Sequence, residues 1–334
     1  MDVGMRKLYI EPASTCNFNC KMCFRHNWKN ETTGLMSQFT FQNIVSGLKG
    51  RWPEKVVFGG MGEPLLQPSL SAWIRIFHEF GCQTELISNF SLMNEERCLE
   101  LCQAGLDRAW VSIDSVFPKH YETIQDGGRY QRLVENMETF RRTRAFYPNV
   151  HLGMIYVILP DNLSEIAHLN HFADSIDADL IHLSHAIPNQ PVFREETAFD
   201  MDLPVGLQHR IGEFHKEYSP GHCRFLEEEN AFIRWDGDIA PCMQLLHETD
   251  TWMFGEQRKI MRKSFGNVNS ISLMDAWNSQ EYRAFRQRVI DFDFPDCISC
   301  DGCELRKENE TDCMMHDFPT CGACLWSLGK VFCP

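Results

Sequence analysis

The first part of this 334-residue chain alternates short apolar segments with amphipathic ones, and this alternation restricts the fold more than any other feature. Six segments have the length and composition of strands: KLYIEP, EKVVFGG, TELISN, RAWVSID, HLGMIYVIL and ADLIHLSH. A segment whose apolar residues recur at helical spacing follows each strand wherever the pattern is clear. A repeat of strand and helix favours a parallel sheet covered by helices. Because a closed barrel of this kind has eight units, six units predict an open, partial (β/α)6 TIM barrel over residues 1–186.

The pattern ends near Ile187. A proline-rich, polar stretch over residues 187–222 is predicted to be a linker or bridging segment. Beyond it, FIRWDGDIAPCM predicts a hairpin that turns at Asp236 and Gly237, and SLMDAWNSQEYRAFRQRVI predicts one amphipathic helix. The rest of this region is rich in cysteine. We therefore expect a second, smaller domain over residues 223–334.

Net charge and the distribution of apolar residues limit the kinds of partner and the cellular compartment that this chain can have. The formal net charge of −14 argues against a nucleic-acid partner, because such binding depends on Lys and Arg. No apolar run approaches the roughly 18 residues of a transmembrane helix, and no signal-peptide pattern is visible at the N-terminus. The sequence therefore predicts a cytoplasmic protein without a membrane partner.

Cysteine is the unusual residue, with 15 copies. Disulfides are rare in the cytoplasm, so clustered thiols there indicate metal binding or catalysis. Three of them, Cys16, Cys20 and Cys23, fall in CNFNCKMC, directly after the first predicted strand. A structural zinc site or a ferredoxin cluster takes four protein ligands. Three thiolates on a [4Fe–4S] cluster would leave one iron open, and an open metal position is where a substrate binds.

CNFNCKMC resembles the CxxxCxxC signature of the radical S-adenosylmethionine (SAM) family, although Met22 stands where the family often has an aromatic residue. The resemblance implies that the open iron chelates the amino and carboxylate groups of SAM. It also implies that the reduced cluster cleaves SAM to a 5′-deoxyadenosyl radical, which abstracts hydrogen from a substrate. A low-potential electron donor such as ferredoxin or flavodoxin is then expected.

The segment FGGMGEPLL, after the second strand, resembles the glycine-rich segment with which this family binds the SAM amino group. Glycine lets backbone carbonyls approach a ligand closely, and Glu63 adds negative charge near a cation. The resemblance implies SAM contacts at Gly60, Met61, Gly62 and Glu63. It extends to three polar residues at later strand ends, for which the alternative is helix capping: Asn89, Ser112 and Asp114.

Nine cysteines lie in the C-terminal region: Cys223, Cys242, Cys297, Cys300, Cys303, Cys313, Cys321, Cys324 and Cys333. The spacing around Gly237 and Cys242 resembles the start of a SPASM domain, the auxiliary-cluster extension of a radical SAM subgroup. The resemblance implies two auxiliary [4Fe–4S] clusters, which need eight thiols, and one spare thiol or extra ligand. The later spacings depart from the subgroup pattern, so the sequence does not assign each thiol to a cluster. Zinc at one site is the alternative.

The tail CGACLWSLGKVFCP and the segment CFRHNW resemble a SPASM subfamily associated with the maturation of tungsten-cofactor oxidoreductases of the aldehyde ferredoxin oxidoreductase type. The sequence therefore predicts an oxygen-sensitive radical SAM enzyme acting on a peptide, a protein or a protein-bound cofactor. One alternative is a peptide-modifying enzyme that forms thioether or carbon crosslinks. Others are an iron–sulfur electron carrier or scaffold without SAM chemistry and a zinc-stapled interaction protein. The glycine-rich segment argues against a carrier, because electron transfer does not require it.

Overall fold

A computed structural model describes residues 4–28, 31–189, 221–253, 256–295, 297, 300, 302–316 and 321–328. Its main layer is an eight-stranded sheet. The strands are β1 (Lys7–Ile10), β2 (Lys55–Phe58), β3 (Gln83–Ser88), β4 (Arg108–Ser112), β5 (His151–Ile158), β6 (Leu180–His185), β7 (Asn230–Ile233) and β8 (Ile239–Ala240). They lie in the order β6-β5-β4-β3-β2-β1-β7-β8, and β1 to β6 are parallel to their neighbours. The predicted mixed α/β fold with six parallel barrel strands is confirmed.

Helices connect these strands and form the outer layer. They are α1 (Gln38–Gly47), α2 (Leu70–Glu79), α3 (Glu95–Gln103), α4 (Pro118–Ile124), α5 (Tyr130–Arg144), α6 (Leu169–Ser175), α7 (Arg224–Glu227), α8 (Leu273–Trp277) and α9 (Gln280–Ile290). A second sheet pairs β9 (Thr249–Met253) with β10 (Glu256–Ile260) in antiparallel register. Within the described ranges, every helix is too short or too polar to cross a bilayer.

Local chemistry explains where these helices begin, end and pack. The side chain of Asn94 accepts a hydrogen bond from the Arg97 amide at 2.9 Å and caps α3. Gly105 follows α3 with a left-handed backbone (φ 87°), which glycine adopts without steric cost. Between α1 and α2, the rings of Phe41 and Trp73 stack with centroids 4.3 Å apart. The apolar helix faces are thus buried against each other and the sheet, as the sequence spacing predicts.

Two predicted elements differ in detail. The single helix predicted near the end of the chain is two helices, because Ser279 caps α9 by accepting a hydrogen bond from the Tyr282 amide at 3.2 Å. The predicted hairpin forms between β7 and β8, but its turn is longer than two residues. The Arg234 amide donates to the Asp238 carbonyl at 2.9 Å, and Gly237 takes φ 97° inside the loop. This is the geometry of a type I turn followed by a left-handed residue.

Strand β7 attaches the C-terminal region to the barrel. It pairs in parallel with β1, and Lys7 lies opposite Asn230. Tyr9 on β1 stacks on Phe232 of β7 with ring centroids 4.2 Å apart. The sheet and its hydrophobic core therefore continue across the predicted boundary between the two domains. Most of the predicted linker, residues 190–220, lies outside the described residues.

Candidate active site

The three cysteines of CNFNCKMC lie on the loop that follows β1, at the carboxyl end of the sheet. The Cys23 amide donates to the Cys20 carbonyl at 2.9 Å, and Nε2 of His26 lies 2.8 Å from the same oxygen. Burial raises the pKa of all three thiols, and at Cys20 the charges of Asp114, Cys23 and Cys16 add to the shift. Thiolates held this close to one another are stabilised when a metal centre neutralises them.

The cysteine loop offers a donor set of three thiols. Among the described residues, no three Cys, His, Asp or Glu side chains converge on one point where a metal ion could lie. A [4Fe–4S] cluster makes a different demand, because each iron takes its own thiolate. Cys16, Cys20 and Cys23 are each partly exposed on one short loop. In number and chemical type they match the ligands that a [4Fe–4S] cluster with one open iron would need.

The glycine-rich segment after β2 packs directly on the cysteine loop. A Cβ at Gly62 would lie 2.3 Å from the Ala13 carbonyl oxygen and 2.4 Å from that of Thr15. The Glu63 amide donates to the Thr15 carbonyl at 2.9 Å. Glycine is needed at position 62 because a side chain would push these two segments apart.

Glu63 fixes the end of β3. Its Oε1 accepts hydrogen bonds from the Ser88 hydroxyl at 2.8 Å and the Leu65 amide at 2.9 Å, and its Oε2 accepts one from the Asn89 amide at 2.8 Å. The residue is 2% exposed, and burial raises its pKa to about 6 although these hydrogen bonds lower it. The carboxylate thus acts on the site through Ser88 and Asn89.

The residues predicted at later strand ends reach the same region. Nδ2 of Asn89 lies 3.9 Å from the sulfur of Cys16. Ser112 and Asp114 line a cavity together with Cys20. Asp114 accepts a hydrogen bond from the Val157 amide at 3.0 Å, and burial raises its pKa to about 7.

This cavity occupies about 900 Å³ inside the barrel. Near the cysteine loop its wall includes Gly60 and Met61, and from the C-terminal region it includes Met243, Leu246 and Trp326. A pocket of this volume accommodates a ligand of the size of a nucleoside or larger. The site is therefore bounded by both parts of the chain.

A charged group lines the far end of the cavity, and sequence reasoning missed it. The Glu85 carboxylate accepts a hydrogen bond from Nε1 of Trp110 at 2.8 Å and lies 2.8 Å from Nζ of Lys55 and 3.2 Å from Nη1 of Arg108. The available signal was a glutamate in the middle of the predicted strand TELISN.

A second polar group, also missed, joins the barrel mouth to the C-terminal region. Glu11, just after β1, accepts a hydrogen bond from the Met61 amide at 3.0 Å, and both of its oxygens lie 2.9 Å from Nε2 of His247. Nδ1 of His247 lies 3.3 Å from Glu31, which pairs with Arg234 at 2.7 Å. Burial lowers the pKa of His247, but the carboxylates of Glu11 and Glu31 raise it by more, so the net shift is upward.

Eight of the nine C-terminal cysteines fall into two groups, and Cys333 lies outside the described residues. The first cysteine group is Cys223, Cys242, Cys321 and Cys324. The second cysteine group is Cys297, Cys300, Cys303 and Cys313. Burial raises the pKa of Cys321, and the charges of the other three members of its group raise it further. Burial also raises the pKa of Cys297; Arg258 opposes this shift, and the other three members of the second group add to it. The members of each set are therefore close enough to affect one another electrostatically.

The two cysteine groups adjoin at Gly322. The Cys297 amide donates to the Gly322 carbonyl at 3.3 Å. A Cβ on Gly322 would lie 2.0 Å from the carbonyl oxygen of Pro295. Close approach of these two backbone segments therefore requires glycine at this position.

Comparison with known families follows this division of the chain. The model of the radical SAM superfamily matches residues 10–173, which include the cysteine loop and the glycine-rich segment. The model of SPASM, an iron–sulfur cluster-binding domain, matches residues 223–304. The chain belongs to the radical SAM superfamily. The resemblance seen in CNFNCKMC and FGGMGEPLL is confirmed, and with it the prediction of an enzyme. This radical SAM enzyme carries a SPASM domain, and the two domains imply iron–sulfur clusters and SAM binding.

Individual relatives extend the comparison. The tungsten-containing aldehyde ferredoxin oxidoreductase cofactor-modifying protein of Pyrococcus furiosus is 28% identical over 352 aligned positions, which cover 99% of this chain and 97% of the relative. A GTP 3′,8-cyclase of Chlorobaculum tepidum is 25% identical over 48% of each chain.

Solved structures share the fold. The structure of anSMEcpe with bound AdoMet, which is SAM, matches with a TM-score of 0.63 and 14% identity, over 95% of this chain and 93% of that one. Streptococcus suis SuiB bound to the precursor peptide SuiA matches with a TM-score of 0.60 and 16% identity, over 86% and 67%. At these identities the likeness shows the fold alone.

Proposed function

We propose that this radical SAM enzyme matures a tungsten-containing oxidoreductase by modifying its cofactor or a segment that holds the cofactor. The observation that carries the proposal is the end-to-end match to the Pyrococcus furiosus cofactor-modifying protein, which covers nearly all of both chains. A match confined to the barrel would support only the shared SAM chemistry. The agreement through the cysteine-rich region supports a shared class of substrate.

The residues of the cysteine loop have distinct tasks in this proposal. Cys16, Cys20 and Cys23 hold three irons of a [4Fe–4S] cluster. When bound and reduced, this cluster and SAM supply a carbon radical that abstracts hydrogen. The backbone at Gly60 and Met61 borders the cavity beside Cys20 and receives the methionine part of SAM.

Residues at the later strand ends position the rest of SAM. Gly62 allows the glycine-rich segment to lie against the cysteine loop. Glu63 orients Asn89 toward Cys16, where the methionine carboxylate is expected. Ser112 and Asp114 face the cavity where the ribose is expected.

The cavity beyond these residues receives the substrate. Its wall includes Ile87, Ile155, Val157 and Phe232, so much of it is apolar. An apolar enclosure keeps water away from a reactive intermediate. The charged group at Glu85 gives the far end a polar anchor for the substrate.

The first and second cysteine groups each ligate one auxiliary [4Fe–4S] cluster in this proposal. Four clustered thiols are the ordinary ligand set of such a cluster. A low-potential donor of the ferredoxin or flavodoxin type supplies electrons. Fifteen cysteines in one chain support a reducing, cytoplasmic location.

The experiment uses full-length protein reconstituted anaerobically with iron and sulfide. With dithionite and SAM it should release 5′-deoxyadenosine, and Cys20→Ala should abolish the release while keeping iron in the C-terminal groups. Cys82→Ala, at a buried thiol outside the three cysteine sets, is the matched control. Normal SAM cleavage by Cys20→Ala would refute the assignment of the site.

The substrate is tested separately. A tungsten oxidoreductase isolated from cells lacking this enzyme should accelerate the formation of 5′-deoxyadenosine and gain activity in the reaction. If it does neither, while a peptide accelerates the reaction and acquires a crosslink, the peptide-modifying alternative replaces the proposal.

A further inference from the structure

Arg258 on β10 lies where the two cysteine groups adjoin. It is 4% exposed, and its Nη1 donates to the Ala323 carbonyl at 3.1 Å. Ala323 lies between Cys321 and Cys324 of the first group. The adjacent carbonyl, that of Gly322, accepts a hydrogen bond from the amide of Cys297 in the second group. One guanidinium thus contacts the backbone segment that both groups share.

The electrostatic surroundings of Arg258 also include both groups. Burial and the nearby charge of Arg306 lower its pKa, the charges of Cys324, Cys297 and Cys321 raise it, and the net shift is downward. The carboxylate at the start of β10, Glu256, is held by another arginine, Arg306, at 2.6 Å. The thiolates of both groups therefore contribute negative charge around the buried cation at position 258.

Arg306 provides a useful contrast. It is also buried, and its Nη1 donates to the Cys300 carbonyl at 2.5 Å. It contacts Cys300, which belongs to the second group, and it pairs with the carboxylate of Glu256. Arg258 instead adjoins both groups, so its positive charge acts on both.

We propose that Arg258 is the shared counter-charge of the two auxiliary clusters and raises the reduction potential of both. The proposal rests on the ligation of one [4Fe–4S] cluster by each cysteine group. A cluster bound by four thiolates is anionic, and each added electron makes it more so. A fixed positive charge nearby favours the reduced form, since cluster potentials depend on net charge and on the surrounding hydrogen bonds. Arg258 thus acts on the clusters through its charge and is not proposed to contact the substrate.

The test uses full-length protein in which Cys16, Cys20 and Cys23 are all replaced by alanine, so that only auxiliary clusters assemble. Three further substitutions are made in this background. Arg258→Gln removes the charge, Arg258→Lys keeps it, and Arg286→Gln is the matched control. Arg286 is also buried, but its guanidinium stacks on Trp277 at 3.7 Å and donates to the Trp277 carbonyl at 2.9 Å.

Iron content and the midpoint potential of each cluster are measured, the latter by anaerobic titration followed by electron paramagnetic resonance. We expect Arg258→Gln to shift the midpoint potentials of both auxiliary clusters to more negative values. The potentials in Arg258→Lys and Arg286→Gln should stay near those of the parent protein. Unchanged potentials in Arg258→Gln, or a shift of only one cluster, would overturn the proposal.

Iron content separates the remaining outcomes. If Arg258→Gln fails to load iron while Arg258→Lys loads it, a charge role is supported. Loss of iron in both variants indicates a packing role and overturns the proposal. If the parent protein binds no iron, the two cysteine groups do not ligate clusters, and the role proposed for Arg258 is refuted with them. The SAM chemistry is tested separately, by SAM cleavage in the unmodified enzyme.

Discussion

Nε2 of His247 lies 2.9 Å from both carboxylate oxygens of Glu11, and neither side chain is more than 2% exposed. Glu11 follows the first barrel strand, and its carboxylate accepts a hydrogen bond from the Met61 amide of the glycine-rich segment. His247 belongs to the SPASM region. This contact therefore connects the glycine-rich segment to the C-terminal region through one buried ion pair.

Replacing His247 should change the pH dependence of stability. The folded-state pKa of His247 is raised above its unfolded value of about 6.5. Its contribution is thus fully present below about pH 6.5 and is lost as the pH rises through the folded-state pKa. His247→Gln should lower the free energy of unfolding by about 3 kcal/mol near pH 6 and flatten the decline at higher pH. Anaerobic urea denaturation over roughly pH 6 to 9 measures both effects.

The control for this experiment is His151→Gln, at a half-exposed histidine on β5. It should leave both quantities close to those of the unmodified protein. An identical pH profile for His247→Gln and the unmodified protein would show that the ion pair does not contribute to stability.

Adding a methyl group at Gly62 should separate the cysteine loop from the glycine-rich segment. The new Cβ would meet two carbonyl oxygens at 2.4 Å or less, and such a displacement costs about 1–3 kcal/mol. Gly62→Ala should therefore bind SAM roughly tenfold more weakly or worse, as measured by equilibrium binding to the reconstituted protein. Gly4→Ala, with no atom within 4 Å of its Cβ, should bind SAM normally. Equal affinity in the two variants would mean that this contact is not needed.

Glu63→Gln should loosen the end of β3. A glutamine side chain has one acceptor oxygen, so one of the donors from Ser88, Leu65 and Asn89 would face an amide NH₂ group. We expect a loss of about 1–3 kcal/mol in the free energy of unfolding and weaker SAM binding. Denaturation and binding assays should be run beside Glu79→Gln, at an exposed position on α2. Wild-type values for Glu63→Gln would contradict the role assigned to the carboxylate.

Cys333 should be dispensable for the auxiliary clusters, because the two cysteine groups already provide eight thiols. Cys333→Ser is expected to retain the full iron and sulfide content. Cys321→Ser should lose one cluster, about four irons per chain. Metal analysis after anaerobic desalting distinguishes the two. If Cys333→Ser loses as much iron as Cys321→Ser, Cys333 is a ligand and the division into two groups of four cysteines is wrong.

The barrel could be predicted because its signals are local. Strand and helix periods, the Asn94 cap and the Gly105 stop all act within a few residues of one another. Helix α4 was missed because it is short and Phe117, before it, provides no side-chain cap. The hairpin of β9 and β10 was missed for a related reason, since EQRKI has no apolar alternation strong enough to predict a strand.

The candidate site shows the same limit. CNFNCKMC and FGGMGEPLL are each one unbroken stretch of sequence, so the residues proposed to hold the cluster and SAM could be named in advance. Cys223 and Cys321 share a group only because the fold returns the chain to the same place, and no spacing rule records this. The contact of Glu11 with His247 likewise joins positions whose separation in the chain hides the pairing.

The parallel pairing of β1 with β7 affects how the protein is made. Lys7 emerges from the ribosome early, yet its partner Asn230 is synthesised only after the other barrel strands. During that interval one edge of the nascent sheet offers unsatisfied backbone groups to any passing strand. Expression at high rates should therefore favour inclusion bodies, and slower synthesis or a chaperone that covers nascent edges should improve the yield of native enzyme.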